Sequence, residues 1–530
     1  MISIDSIESV IQRTFDQKKV PGFAIAVVKG EEIVYAKGFG STNVEEGGTP
    51  VTPDTIFRIG SVSKPLTGSA IMRLVEAGKV DLDQPIVSYI PEFRLSDPEA
   101  AGKVTLRMLL NHTAGLPDGG DMVGKRDPEA LEEYVREVIP QLSMIAPPGF
   151  LHSYSNHHLN LAGYVAERVT GQLFPAFMKE WLFDPLHMTR TMYDPLVAMT
   201  YPLALPHDRH PDGTLRVQHH FPENAANYPS YFGMSTVRDM AAFAMMQLNM
   251  GRVGDVQFLS PQSIEEMHSF QADRFTLSGL ASGLTFFKDT YKGVSIIKHA
   301  GAISTYNSAL LLQPEHKIGI VTLSSQDYGW DEAHEILSLL LELPEETPQV
   351  FAAASFRRPS VDQSRWQSYE GAYIGFLRGA ALVSMSDAQL FLTLNGEERP
   401  LNYVREHFFV TCDDDNNPLD NVGFITGEGE AAPFIMINGS PCQRTTEELF
   451  QFDPSVWHAF EGSYTNDVLH FSFRLRDNTP VFIDEDTEIV CVPLKDNLFF
   501  ADGFGLLEFT EENGAMLLTI QNTWRFSKAL

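Results

Sequence analysis

Two residues near position 60 could supply the nucleophile and the base of an acyl-transfer reaction. Ser61 and Lys64 lie three residues apart in the segment Phe57-Arg-Ile-Gly-Ser61-Val-Ser-Lys64. A serine hydroxyl becomes a good nucleophile when a neighbouring group takes its proton, and burial can lower the pKa of a lysine until it acts as that base. The pair alone is weak evidence, because Ser-x-x-Lys should occur by chance about once or twice in a chain this long. An ordinary buried helix with a capping serine explains it as well.

Two other segments carry polar residues suited to the same reaction. Tyr154-Ser-Asn156 precedes a helical pattern over residues 159–170, and His299-Ala-Gly301 is predicted to end a strand. Taken singly, these residues have structural explanations: a packed aromatic, a helix N-cap, a strand-end residue and a turn glycine. Their order and separation in one chain are much less easily explained by chance.

The elements that must position these residues follow from the hydrophobic pattern. Ser61 is predicted to open a long helix that ends at Gly78. The free N–H groups at the N-terminus of this helix would stabilise developing negative charge. Its apolar positions recur at helical spacing: Leu66, Ala70, Ile71, Leu74 and Val75.

Strand patterns stand at both ends of the first 343 residues, with helix and turn signals between them. A hairpin is predicted over residues 21–40, and further strands over 294–299, 307–313 and 317–324, followed by a helix over 332–343. An amphipathic surface helix is predicted at the N-terminus. This arrangement indicates an α/β (α+β) domain in which one antiparallel sheet joins distant segments around a mainly helical insertion.

The C-terminal third has a different texture. A proline-containing linker is predicted at 346–365, after a catalytic domain over 1–345. Beyond it, Trp366-Gln-Ser-Tyr-Glu-Gly-Ala-Tyr373 returns as Trp457-His-Ala-Phe-Glu-Gly-Ser-Tyr464. Each copy opens a run of short strands, so we expect β-barrel-like repeats over 366–452 and 453–530, which could form two barrels or one.

Composition narrows the classes of partner and compartment. The 530 residues carry a formal net charge of −30, which argues against nucleic acid because phosphate binding needs a basic surface. Three cysteines, an odd number, fit neither a disulfide framework nor a zinc spacing, so a reducing compartment is expected. With no apolar run long enough for a bilayer and no secretory signal, the sequence predicts a cytoplasmic protein without a membrane partner.

Two metal-site patterns fail on their ligands. The acidic run that begins at Asp413 resembles a calcium loop, but Pro418 and Phe424 stand where glycine and the bidentate glutamate belong. The second pattern is a group of four histidines: His207, His210, His219 and His220. No carboxylate or cysteine accompanies them at ligand spacing, so they are better explained as histidines of a loop. We therefore predict no metal site.

Together, the three motifs resemble those of the penicillin-recognising serine hydrolases. Ser61-x-x-Lys64, Tyr154-x-Asn156 and His299-x-Gly301 are similar to the motifs of the branch that contains class C β-lactamases, D-alanyl-D-alanine carboxypeptidases, D-aminopeptidases and related esterases. Segments 78–85 and 110–117 are also typical of that branch. The resemblance extends over about residues 5–343 and is highly specific.

The resemblance implies a role for each matching residue. Ser61 would attack the acyl carbon, Lys64 would help to remove its proton, and Tyr154 would shuttle protons during acylation and deacylation. The resemblance also implies substrate-binding roles for Asn156, His299 and Gly301, and an oxyanion hole formed by the backbone N–H groups of Ser61 and Ala302. No cofactor is implied.

One departure from the family pattern bears on the substrate. The third motif usually begins with a lysine, whose positive charge favours substrates with a carboxylate beyond the scissile bond, whereas here it begins with His299. Histidine-bearing members act on D-amino-acid amides, short peptides and esters, and the C-terminal repeats resemble the lipocalin-like barrels attached to D-aminopeptidases.

The sequence thus predicts a serine aminopeptidase or amidase acting on a small-molecule or short-peptide substrate, with a homo-oligomer as a candidate assembly. One alternative is an esterase or acyltransferase that uses the same Ser61. The other is a non-catalytic binding protein that kept the fold.

Overall fold

The chain divides into two compact units. The computed structural model describes residues 4–45, 47–210, 213–344, 363–427, 429, 431–466, 470–484, 487–512, 514–520 and 524–529. The first unit comprises Met1–Asp273 and Ser278–Pro348, and the second comprises Arg274–Leu277 and Gln349–Leu530. Residues 346–362 of the predicted linker lie outside the described residues, and the predicted domain boundaries stay predictions.

The helices of the first unit lie mainly between its terminal strands, as predicted. They are α1 Ile4–Lys18, α2 Ser63–Glu76, α3 Pro98–Ala101, α4 Leu106–Leu110, α5 Ala130–Glu133, α6 Asn156–Thr170, α7 Phe174–Met178, α8 Pro195–Ala198, α9 Tyr228–Tyr231, α10 Val237–Leu248, α11 Pro261–His268 and α12 Trp330–Leu340. Short 3₁₀ turns occur at Gly60–Val62, Ile86–Ser88, Ile139–Gln141 and Ala225–Asn227, and π-helical turns at Tyr134–Val138 and Lys179–Phe183 continue α5 and α7.

The strands of the first unit form one large antiparallel sheet and three small pairs. They are β1 Gly22–Lys29, β2 Glu32–Gly40, β3 Phe57–Arg58, β4 His207–Arg209, β5 Leu215–Val217, β6 Met234–Ser235, β7 Arg252–Val253, β8 Val256–Gln257, β9 Ala272–Asp273, β10 Ala281–Ser282, β11 Phe287–Tyr291, β12 Val294–Ile303, β13 Tyr306–Gln313 and β14 Ile318–Ser324. The large sheet has the order β2-β1-β14-β13-β12-β11-β10-β9, and β3 pairs with β6, β4 with β5 and β7 with β8.

The pairing of β1 with β14 joins distant parts of the chain, as the sequence predicted. Phe23 lies opposite Ser324 and Lys29 opposite Ile318. Successive side chains of a strand point to opposite faces, and here both faces are covered. Ala24 and its alternate neighbours enter the core shared with α2 and α10, whereas Phe23 and its alternates enter the core shared with α1 and α12. A strand buried on both faces needs the continuous apolar run that β1 has.

The strands of the second unit form two antiparallel sheets, one for each repeat. They are β15 Gly371–Gly375, β16 Gly379–Ser386, β17 Gln389–Leu394, β18 Glu397–Pro400, β19 Asn402–Arg405, β20 Phe408–Cys412, β21 Pro418–Ile425, β22 Phe434–Ile437, β23 Ser440–Thr445, β24 Gly462–Thr465, β25 His470–Arg476, β26 Thr479–Asp484, β27 Thr487–Pro493, β28 Leu498–Ala501, β29 Gly505–Glu512, β30 Ala515–Ile520 and β31 Trp524–Lys528. The first nine form a sheet of order β18-β17-β16-β15-β23-β22-β21-β20-β19, and β24–β31 form a closed barrel. A 3₁₀ turn precedes each sheet, at Gln363–Tyr369 and Pro454–Phe460.

The two sheets share one connectivity. In the barrel, β27 pairs with β26 through its first residues and with β28 through its last. In the first sheet, the place equivalent to β27 is taken by two shorter strands. They are β18, which pairs with β17, and β19, which pairs with β20. The division falls between Pro400 and Asn402.

The expected class of fold, mixed helix and antiparallel sheet followed by an antiparallel β-barrel, is therefore confirmed. A likeness of the repeats to lipocalins stays a prediction. None of the described helices is both long and apolar enough to cross a membrane, and cytoplasmic location stays a prediction.

Candidate active site

Ser61 lies in a 3₁₀ turn and not, as predicted, at the start of the long helix. The turn spans Gly60–Val62, and α2 begins at Ser63. Gly60 has a φ of 49°, in the left-handed region that favours glycine. The Ser63 hydroxyl donates to the Gly60 carbonyl at 2.7 Å and holds the turn. Because the turn runs directly into the first residues of α2, and residues three apart are neighbours in both kinds of helix, Lys64 still lies next to Ser61.

Lys64 is fully buried and lies against Ser61. Its Nζ is 3.0 Å from Ser61 Oγ, 2.6 Å from Asn156 Oδ1 and 3.1 Å from the Ser230 carbonyl oxygen. Burial lowers the pKa of Lys64 to about 7, although the negative charge of Asp118 opposes the shift. A lysine with such a pKa is partly neutral at neutral pH and can accept a proton from the serine.

The structure brings the second motif to the same place. Asn156 is the first residue of α6, so its side chain reaches Lys64 from the helix N-terminus. The ring centroid of Tyr154 lies 4.7 Å from Lys64 Nζ and 6.5 Å from the ring centroid of His299. All three motifs predicted from the sequence therefore meet around Lys64.

Buried histidines support the loop that carries Tyr154. His112 Nδ1 accepts from the Ser155 N–H at 3.3 Å, and its ring centroid is 4.6 Å from that of Tyr154. His158 Nε2 accepts from the Leu116 N–H, so the proton of His158 resides on Nδ1, 3.4 Å from His112 Nδ1. The sequence analysis missed this support, although segment 110–117 contained the signal.

These histidines are neutral at neutral pH. Burial lowers the pKa of His158 to about 3 and that of the neighbouring His157 to about 4. Burial also lowers the pKa of His112 well below its ordinary value, and the positive charge of Lys64 acts in the same direction. A neutral imidazole can accept the Ser155 N–H, whereas a protonated one could not.

Two glycines allow the Ser61 turn to approach β12. A Cβ added to Gly60 would lie 2.6 Å from the Ala302 nitrogen, and one added to Gly301 would lie 3.0 Å from the Ser61 nitrogen. Real Cβ atoms do not approach backbone so closely, so only glycine fits at Gly60. The turn and β12 therefore lie backbone against backbone at Ser61 and Ala302, and the oxyanion-hole role of these two N–H groups stays a prediction.

His299 lies within β12 and does not end the strand, contrary to the sequence prediction. The strand continues to Ile303, because Gly301 still pairs with Ser308 of β13. The glycine therefore serves the close approach rather than a turn. His299 is 2% exposed, and its Nδ1 lies 2.6 Å from the Ala300 carbonyl oxygen, so this nitrogen carries the proton.

The neighbouring lysine does not replace the positive charge that this motif lacks. Lys298 precedes His299 and therefore points to the opposite face of the sheet. There its Nζ donates to Asp289 Oδ2 at 2.5 Å and lies 5.4 Å from the ring centroid of Trp330. The third motif thus presents the imidazole of His299 to the site. The ammonium group of Lys298 lies on the other face of the sheet, beside Trp330.

Asp118 was missed by the sequence analysis. It directly follows segment 110–117, and its Oδ1 accepts from both the backbone N–H and the side-chain amide of Asn156, at 3.0 and 3.2 Å. An isolated aspartate in a loop carries no signal in the sequence, because its partner lies 38 residues away.

Within the described ranges, no three His, Cys, Asp or Glu side chains gather in a way that could hold a metal ion. The acidic turn that begins at Asp413 is closed internally, since its Oδ1 accepts from the Asn417 N–H at 2.7 Å. The His207 side chain accepts from the Val44 N–H at 3.2 Å.

With this geometry established, residues 7–343 match the family model described as Beta-lactamase. The chain belongs to the beta-lactamase family. Its relatives include Protein flp of Staphylococcus aureus strain COL, 25% identical over 326 residues, which are 61% of this chain and 63% of that protein. They also include Penicillin-binding protein 4 of Amycolatopsis lactamdurans, 28% identical over 66% of this chain and 93% of that protein. The alignment with Protein flp thus leaves more than a third of that relative unmatched.

Solved structures extend the likeness into the C-terminal repeats. The octameric penicillin-binding protein homologue from Pyrococcus abyssi has a TM-score of 0.57 at 25% identity, over 83% of this chain and 99% of that one. SurE has a TM-score of 0.63 at 21% identity over the same shares, which shows a common fold. The beta-lactamase-like fold with a C-terminal β-barrel, expected from the sequence, is confirmed.

Proposed function

We propose that this beta-lactamase-family protein is a serine hydrolase that works through a covalent acyl-enzyme on Ser61. The observation that carries the proposal is the 3.0 Å separation between Ser61 Oγ and the Nζ of a fully buried Lys64. Burial lowers the pKa of that lysine to about 7, so a nucleophile and a competent base stand in hydrogen-bond reach.

Acylation then follows from the positions of the site residues. Ser61 Oγ attacks the substrate carbonyl carbon while its proton passes to Lys64 Nζ. The resulting oxyanion is stabilised by the N–H groups of Ser61 and Ala302. When the tetrahedral intermediate collapses, the bond to the leaving group breaks. Tyr154 gives its hydroxyl proton to the leaving amine and takes up the proton held by Lys64, so that both side chains return to their starting state. Water then attacks the acyl-enzyme by the reverse proton path and releases the acid.

We further propose that the substrates are amides of D-amino acids or short peptides. The support is His299, since it places a buried imidazole where related enzymes carry the permanent positive charge of a lysine. Substrates that depend on a carboxylate beyond the scissile bond lose that ion pair here. The Asn156 amide remains available to bind an acyl-side amide of the substrate.

The test is the intact mass of the protein after incubation with an active-serine phosphonate, with Ser61→Ala as the control. We expect one adduct per chain in the wild type and none in the variant. If no adduct forms with the phosphonate or with a penicillin, the protein is a binding protein that kept the fold, and the proposal is wrong.

Rates on matched D-amide, L-amide and ester substrates test the substrate class. We expect the D-amide to be hydrolysed faster than its L-isomer. Turnover of esters alone would instead establish an esterase, and transfer of the acyl group to an added amine or alcohol would establish an acyltransferase, both with the same Ser61.

We also propose that the protein assembles into a homo-oligomer, because the Pyrococcus abyssi homologue is octameric. Light scattering at several concentrations measures the mass directly. A mass of 59.1 kDa at all of them, that of a single chain, would contradict this proposal.

A further inference from the structure

We propose that Asp118 is a positioning residue of this site, which orients the Asn156 amide and stabilises the charged form of Lys64. The inference rests on the proposed acyl-enzyme function and adds to it a residue outside the three motifs. It stands on the hydrogen bonds that connect Asp118, Asn156 and Lys64.

One carboxylate oxygen of Asp118 receives three N–H donors. Oδ1 accepts from the Asn156 backbone N–H at 3.0 Å, from Asn156 Nδ2 at 3.2 Å and from the Gly119 N–H at 2.9 Å. The aspartate thereby ties the first residue of α6 to the loop before it. Both the backbone and the side chain of Asn156 are held by the same atom.

This arrangement permits a single orientation of the Asn156 amide. With Nδ2 on the carboxylate of Asp118, Oδ1 is turned towards Lys64 Nζ, 2.6 Å away. The reversed amide would place its carbonyl oxygen against the carboxylate and its NH₂ group against the ammonium, which are two repulsive contacts. Asp118 therefore decides which end of the amide faces the lysine.

The fixed orientation also prepares Asn156 for substrate. An amide nitrogen carries two hydrogens, and Asp118 accepts only one of them. The other remains for the carbonyl oxygen of an acyl-side amide. Without Asp118, the amide would be free to rotate, and both the contact with Lys64 and the contact with substrate would be made only part of the time.

The charge of Asp118 acts on the proton of Lys64. Burial lowers the pKa of Lys64, whereas Asp118 raises it. Burial raises the pKa of Tyr134 and of Tyr231 and lowers that of His112, so these neighbours are neutral at neutral pH. Two carboxyl groups also face this region, and burial raises the pKa of both Asp118 and Asp121. Of the two, Asp118 acts on Lys64, whereas Asp121 acts on the two tyrosines.

Two substitutions separate orientation from charge. Asp118→Asn keeps an oxygen that can accept the Asn156 N–H groups but removes the charge, so the pKa of Lys64 falls. In this variant we expect the acid limb of the pH profile of the acylation rate to move to lower pH. The maximum rate, on the plateau of that profile, should be nearly retained. Asp118→Ala removes the acceptor as well, and we expect its plateau to fall by about tenfold to a hundredfold, as for other residues that orient an active-site group.

The experiment measures the rate of adduct formation with the active-serine phosphonate across the neutral pH range, together with the melting temperature of each variant. Asp127→Asn is the matched control, because it removes one negative charge from the same segment between α4 and α5 at an exposed side chain. Its acid limb should coincide with that of the wild type.

The outcomes distinguish this inference from the function on which it rests. If the wild type forms no adduct, the proposed function itself is wrong. If the wild type reacts but Asp118→Asn has an unmoved acid limb, the inference is overturned, and a lower melting temperature alone would then mark Asp118 as merely structural. Should Asp118→Ala fail to fold, the Asp118→Asn profile still decides.

Discussion

The two units of this protein bury different kinds of polar side chain. Both enclose rings, such as Phe232 at 0% exposure in the first unit and Trp457 at 3% in the second. The unit that carries Ser61 also encloses groups that can hold charge, such as Lys64 and His158, both at 0%, whereas the buried polar side chains described in the second unit are threonines. A buried polar group is costly unless its partners are placed with it, whereas a buried ring stabilises chiefly through area. Substitutions in the first unit should therefore change chemistry and pH dependence, and those in the second should change stability.

A second comparison, between the two β repeats, shows how little is needed to change a barrel. The tyrosine of each repeat motif makes the same hydrogen bond, since Tyr373 donates to the Tyr369 carbonyl at 2.7 Å and Tyr464 to the Phe460 carbonyl at 2.6 Å. Connectivity is also shared, but one strand of the first sheet is divided after Pro400. The repeat motif thus anchors the entry to each sheet, and the division of one strand distinguishes the first sheet from the barrel.

The largest effect should come from the buried lysine. Lys64→Met removes the proposed base but keeps an unbranched apolar chain, and we expect acylation by the phosphonate to slow by about 10³-fold to 10⁴-fold. In the wild type, the rate should fall as pH drops below about 7, because Lys64 then gains a proton. Stopped incubations analysed by intact mass give both results. A rate in Lys64→Met within about threefold of the wild type would show that the lysine is not the base.

The buried tryptophans of the repeats should affect stability strongly. We expect Trp366→Ala and Trp457→Ala each to lower the free energy of unfolding by about 3–5 kcal/mol, because each removes a ring that is 3% exposed. Urea unfolding of the full chain measures the loss in the free energy of unfolding, and calorimetry of the same variants measures the change in melting temperature. Phe452→Ala is a matched control at a residue that is 38% exposed, and it should cost about 1 kcal/mol or less. Equal losses at all three positions would contradict the distinction between buried and exposed rings.

The histidines beneath the site should make the first unit sensitive to acid. The folded-state pKa of His157 is about 4 and that of His158 about 3, below the ordinary value of 6.5. The unfolded chain therefore binds more protons, so stability falls as pH drops below about 6.5 and goes on falling to about pH 3. At pH 5 we expect a loss of about 1–2 kcal/mol for each histidine.

Denaturant unfolding at pH 7 and pH 5 tests this loss. His157→Gln removes one titrating group and should reduce the difference between the two pH values, even if it lowers stability at both. A stability that is the same at pH 7 and pH 5 in the wild type would show that these histidines are protonated in the folded protein.

The smallest effects should distinguish the two repeats. Tyr464→Phe removes a single hydrogen bond and should cost about 1 kcal/mol. Tyr373→Phe should cost more, because the Tyr373 hydroxyl also accepts from Arg444 Nη2 at 2.6 Å. Urea unfolding of the two variants under the same conditions compares them. A larger loss in Tyr464→Phe would mean that the contact with Arg444 adds no stability.

Local sequence patterns determined much of this protein. The alternation and helical spacing of apolar residues predicted the terminal strands and the long helix after Ser61, because such periodicity reflects one element facing one core. The three short motifs predicted the family, since residue types at fixed spacing carry the chemistry wherever they meet. The return of the Trp366 motif at Trp457 likewise predicted two β repeats.

Tertiary structure alone decided which polar atoms meet. The contact of Lys64 with Asn156 spans 92 residues, and Asp118 joins Asn156 from a loop with no periodic pattern. The turn that holds Ser61 depends on Gly60 lying against the backbone of Ala302 and on Gly301 lying against the backbone of Ile59 and Ser61, although these segments are far apart in the chain. Hydrophobic periodicity is local and survives in the sequence, whereas a hydrogen bond between distant residues exists only after packing has brought its two atoms within about 3 Å.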